Sequence, residues 1–188
     1  MEQNFSIFGI TSPINQLVDA DKDFDLMQTI EDYEVELYLS KNVYHHDLED
    51  DPKDNFNYRY AIEAYYSEEN DETYYYLMLI PTFGSLSAKR QADVRDMVGM
   101  DETDTPNEID VHDYGIQIIM GRENVKGQYD KSVVDKIASV VDVIDRMRGF
   151  YLDRAQNRIG STGWDMLDDY INGNDFLKAT LDRYDSSK

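Results

Sequence analysis

At 188 residues with a net charge of -21, the chain is long enough to build one cored domain and too acidic to grip a phosphate backbone itself. Its 41% hydrophobic content argues against global disorder, and the absence of cysteine removes disulfides and cysteine-based zinc sites. No run of roughly 18 apolar residues predicts a membrane span, and Met1-Glu-Gln-Asn-Phe5 lacks the pattern of a secretory leader, so a cytoplasmic location is expected.

In chain order, Phe5 to Ile10 reads as a short strand. Thr11 or Ser12 caps a short helix with Pro13 in its first turn. Asp19, Asp21, Asp23 and Asp25 place a carboxylate at every second position. Phe24, Met27 and Ile30 then carry a helical spacing, which predicts a short helix over 24–32. From Glu34 the period changes to two. Val35, Leu37 and Leu39 alternate with polar neighbours as a half-buried strand, and the acidic stretch His45 to Asp54 ends it. Tyr58 to Ala64 and Thr73 to Ile80 are predicted to form a hairpin around the turn Ser67 to Glu72. Tyrosines 58, 60, 65, 66, 74, 75 and 76 crowd that hairpin.

Ser87 to Val98 is predicted to be a helix stopped by Gly99, with Ala88, Ala92, Val94 (or Arg95) and Val98 near one face. An acidic connector over 100–109 leads to a strand from Tyr114 to Met120, and Arg122 to Tyr129 is a link. Asp130 to Ile159 carries the strongest helical period of the chain. Val133, Ile137, Val140, Ile144, Met147 and Tyr151 form its stripe, and Asp130 is placed to cap it. A last helix begins near Trp164, with a break at Asn172-Gly-Asn174. The expected product is a single α+β domain over 1–188, acidic in its N-terminal half and helical at its C-terminal end. About four antiparallel strands carry one long and several short helices on one face.

His45-His46-Asp47 and His112-Asp113 could hold a divalent ion for phosphoester hydrolysis if the fold joins them, although no demanding metal-ligand spacing surrounds either. The Asp19–Asp25 series fails as an EF-hand loop, because Phe24 or Leu26 falls where the sixth-position glycine is needed. Glycine-rich phosphate loops and the GxSxG elbow are missing from the sequence. No catalytic residue, metal or cofactor is therefore expected.

What remains is charge, and it is uneven. Residues 1–80 hold 19 Asp and Glu against 4 Lys and Arg, whereas residues 129–188 hold 11 against 9. Carboxylates two residues apart on a strand stand about 6.6–6.8 Å apart, in the range of successive DNA phosphates. Glu34, Glu36, Asp47, Glu49, Asp50, Asp51, Asp54, Glu63, Glu68, Glu69, Asp71 and Glu72 are thus the expected partner-binding residues, with tyrosines adding flat contact area. In character the chain resembles the small acidic inhibitors with which phages and mobile elements block host nucleases, anti-restriction and anti-CRISPR proteins among them. The resemblance attaches to no motif. It implies a DNA-mimicking surface offered to a basic nucleic-acid-binding protein or nuclease, with no direct nucleic acid and no membrane as partners. The alternative is a structural protein that assembles as a homodimer or larger homo-oligomer.

Overall fold

The computed structural model describes residues 3–30, 35–46 and 55–156, with side chains except at 46 and 146–156. A small hairpin, β1 (Asn4–Ile7) and β2 (Ile10–Pro13), opens the chain. One turn of helix, α1 (Ala20–Asp23), leads into β3 (Phe24–Ile30), β4 (Val35–Ser40) and β5 (Tyr44–His46). Two long strands follow, β6 (Phe56–Ser67) and β7 (Glu72–Pro81), then α2 (Ala88–Val98), α3 (Glu108–Asp113), β8 (Ile118–Lys126) and α4 (Lys131–Gln156). The main sheet runs β3-β4-β6-β7-β8 and is antiparallel throughout, with β5 pairing β6 beyond the end of β4.

Burial follows the two-residue alternation of the strands. On one face Tyr38, Tyr60, Ile62, Tyr75, Leu77, Leu79 and Met120 pack with Val133, Val134, Ile137, Val140, Val141 and Ile144 of α4 and with the β1–β2 hairpin. On the other, Leu37, Leu39, Ala61, Met78 and Ile80 pack against Val94 and Val98 of α2, Val111 of α3, Phe83 and Ile116. The α+β expectation holds, with two corrections. The main sheet has six strands rather than about four, and helices cover both faces rather than one. Leu77-Met78-Leu79-Ile80 is apolar on both parities, and such a strand requires cover on both sides.

Other expectations shift locally. Residues 24–30 form β3 instead of a helix. Phe24 alone of the spaced trio is buried, Met27 sits at a bulge, and pairing with β4 outweighs a weak helical period. The predicted helix after Thr11 is β2 followed by a single 3-10 turn, Ile14–Gln16. The acidic connector contains α3, which a capping box between Asn107 and Asp110 starts. The strand expected from Tyr114 begins at Ile118 and runs on to Lys126 through the predicted link. In α2, Val94 and Val98 are buried while Ala88 and Ala92 are exposed, and Gly99 ends the helix in the left-handed conformation. The expected helix beyond Trp164 lies outside the described residues.

Between Leu39 and Tyr44 four residues of one strand line oppose two of β6, because Leu39 pairs Ala61 and Tyr44 pairs Tyr58. Buried Ser40 bridges the break: its Oγ accepts the Tyr60 N–H at 3.1 Å and donates to the Asn42 carbonyl at 2.8 Å. At α4 the Asp130 carboxylate accepts the Ser132 N–H at 2.9 Å, as its capping position predicts. The α4 stripe is buried from Val133 to Ile144, while Met147 and Tyr151 fall among the undescribed side chains.

Phe8 and Gly9 form the two-residue turn of the first hairpin, both at positive φ (53° and 78°). The Phe8 N–H donates to Glu123 Oε2 at 2.9 Å, and its ring lies where a side chain on Gly121 would stand, 2.9 Å from an ideal Cβ. Gly121→Ala should therefore destabilise the protein by about 1–3 kcal/mol in denaturant unfolding. That cost should shrink severalfold once Phe8→Ala has removed the ring; an equal cost in both backgrounds would show that the contact is not its cause.

Candidate acidic interface

The carboxylates that the sequence groups together are sorted by the sheet into different places. Glu34, Asp47, Glu49, Asp50, Asp51 and Asp54 lie outside the described residues. Glu36 pairs with Ala64 and belongs to the α4 face, whereas Glu63 pairs with Leu37 and belongs to the opposite face. They cannot share one flat array. Each is also engaged internally: Glu36 accepts the Tyr38 hydroxyl at 2.8 Å, and Glu63 binds the His112 imidazole. The Tyr38 hydroxyl also meets that of Tyr129; burial first, then the Glu36 charge, push its pKa up to about 12.

The β6–β7 turn is different. Glu68, Glu69 and Asp71 are exposed at the tip of the two central strands. The tip is held firmly. Asp71 takes the left-handed conformation (φ 48°), which an aspartate tolerates better than most residues. Its carboxylate accepts the Tyr66 hydroxyl at 2.9 Å, and its carbonyl accepts the Gly127 N–H at 2.9 Å. Asn70 Nδ2 donates to the Tyr74 hydroxyl at 3.0 Å. Glu72 is half-buried and stands opposite Lys126 on β8. Three exposed carboxylates on a braced turn are thus what survives of the expected array among the described residues.

Three of the seven crowded tyrosines work inward. Tyr58, Tyr60 and Tyr75 are fully buried on the α4 side, which corrects their expected role as contact area. Tyr65 is 39% exposed and stacks on Tyr74, with centroids 6.2 Å apart.

The Asp19–Asp25 run is a helix start with a built-in cation. Asp19 caps α1 by accepting the Asp21 N–H at 3.0 Å. The Lys131 ammonium lies 3.1 Å from Asp19, 3.6 Å from Asp21 and 2.9 Å from Asp135. Burial opposes the charge on Lys131, but Asp135 and then Asp19 more than offset it and raise its pKa. Sequence spacing hid this cation, because Lys131 is more than a hundred residues away. Also outside the expected set are exposed Asp93 and Asp96 on α2 and Asp101, Glu102 and Asp104 after it; Lys89, Arg90 and Arg95 dilute their charge.

The two histidine sites do not meet. His45 pairs across from Asn57, and its ring bonds that side chain, whereas His112 bonds Glu63. Six residues of β6 separate those partners, about 20 Å along the strand. Among the described residues no group of three or more His, Asp or Glu side chains is arranged to hold a metal ion. No helix among them is long and apolar enough to cross a membrane.

His112 instead closes α3 onto the sheet. Burial alone would lower its pKa, but the Glu63 carboxylate and then Asp113, at 3.2 Å, more than offset that and raise it above 6.5. A raised histidine pKa adds stability in full below the unfolded value and loses it as pH climbs through the folded one. Wild type should therefore exceed Glu63→Gln by about 1–2 kcal/mol below pH 6.5, and the gap should narrow at higher pH. A gap that is flat or widens with pH in denaturant unfolding would contradict the ion pair.

Comparison with known proteins finds no matching family model, no matching curated protein and no matching solved structure.

Proposed function

We propose that this protein is a non-catalytic inhibitor that sets an acidic surface into the basic nucleic-acid-binding cleft of a partner, such as a nuclease, in place of DNA. The observation that carries the proposal is the braced β6–β7 turn, where Glu68, Glu69 and Asp71 stand exposed on a chain of net charge -21. Hydrogen bonds made before binding reduce the ordering cost of association. Long-range attraction then speeds encounter, and contact geometry selects the target.

Self-assembly is the second possibility, and one observation favours it. Among the described residues β3 is an edge strand of the sheet, and it exposes Leu26 (50%) and Met27 (44%). The covered part of the α4 stripe offers no such surface.

Affinity capture from a host lysate, with nuclease added and duplex DNA as competitor, separates the two. Capture of one basic nucleic-acid enzyme, displaced by duplex, is expected. Glu68→Lys, Glu69→Lys and Asp71→Lys together should weaken it about tenfold or more, and Asp93→Lys with Asp96→Lys should weaken it less. Equal losses from both sets would remove the turn from the interface. Capture of this chain alone, abolished by Leu26→Lys, would favour assembly through β3.

A further inference from the structure

Building on the inhibitory role proposed above, we infer that the sheet surface beside the acidic turn is an arginine-stacking platform centred on Tyr65 and Tyr74. Helices α2 and α3 cover only part of their face. Leu37, Leu39, Ala61 and Met78 are buried beneath them, and His112 of α3 closes on Glu63. One row further toward the turn, Val35, Tyr65, Tyr74 and Asn124 lie side by side on β4, β6, β7 and β8. Tyr65 there is 39% exposed, while Ala64 and Tyr75, paired on the opposite face, are 1% and 0% exposed. Cover among the described residues therefore stops before this row on one side only.

Chemistry singles out the occupant. The two rings stack at 25°, and the Arg122 guanidinium stands 5.8 Å from the Tyr74 centroid, so the platform already holds one guanidinium from within the chain. Aromatic faces attract cations, and a planar guanidinium stacks on them better than a compact ammonium does. Glu68 and Glu69 cap the β6–β7 strand ends beside this row, and Glu72 lies on its face. A carboxylate rim around a tyrosine face suits an arginine-rich loop of a protein partner. Stacked cross-strand tyrosines brace a hairpin with or without a ligand; the exposed Tyr65 face and its acidic border are what a guanidinium would meet.

Titration of the full chain with hexa-arginine and hexa-lysine peptides, followed by NMR at the tyrosine rings and turn amides, tests this. Hexa-arginine should bind about two- to fivefold more tightly and move the Tyr65 ring signals. Tyr65→Leu should erase that preference, Tyr65→Phe should keep it, and Glu68→Gln with Glu69→Gln should weaken both peptides while keeping the ratio. A preference that survives Tyr65→Leu, or turn amides that move while the ring does not, would overturn the platform and leave the acidic turn standing. Binding by neither peptide overturns the platform as well. Tyr65 signals that shift with protein concentration before peptide is added would assign the surface to a second copy and overturn the arginine assignment.

Discussion

Tyr58, Tyr60 and Tyr75 put their rings in the core and their hydroxyls against α4. The Tyr58 and Tyr60 hydroxyls both donate to Asp145 Oδ1, at 2.6 and 2.9 Å, and the Tyr75 hydroxyl accepts the Asp130 N–H at 2.8 Å. A buried hydroxyl left without a partner costs about 1–3 kcal/mol, so α4 cannot slide or rotate on the sheet without breaking several bonds together. These ties fix the helix that covers one face of the sheet, and from it the position of Asp135 and Lys131. Those two side chains hold the segment leading into β3: Asp135 accepts the Ala20 N–H at 2.9 Å, and Lys131 meets Asp19 and Asp21. Burial, then the neighbouring Tyr58 hydroxyl and the Asp145 charge, raise the Tyr60 pKa, which keeps the hydroxyl a donor.

The carboxylates of this chain thus fall into two groups. Asp135, Asp145, Glu63 and Glu123 accept hydrogen bonds that join elements far apart in sequence. Glu68, Glu69 and Asp71 remain exposed at the end of the longest hairpin, on a turn whose backbone and side chains are already bonded. A total charge of -21 says nothing about this division; a carboxylate that holds the fold and one left exposed look alike in composition.

How much was legible depended on whether a signal was local. β4, the β6–β7 hairpin, α2 with its Gly99 stop and α4 with its Asp130 cap all stand where periodicity and caps put them. β3 was hidden by the three-residue spacing of Phe24, Met27 and Ile30, which reflects a bulge rather than a buried helical face. Two-sided burial was readable in the unbroken run Leu77 to Ile80, but an alternating pattern elsewhere in the hairpin drew attention to one face. The site was less legible. Glu36 and Glu63 look close in a list of strand acids, and only the register of β4 against β6 places them on opposite faces. The tyrosines carry no mark in sequence that separates a core residue such as Tyr75 from an exposed one such as Tyr65.

The most direct measurement is carbodiimide footprinting of the surface carboxylates, read by mass spectrometry, on the protein alone and in complex with the captured partner. Protection of Glu68, Glu69 and Asp71, with Asp93 and Asp96 still labelled, is the predicted result. Protection confined to α2, with the β6–β7 turn as reactive as in the free protein, would contradict the assignment of the interface.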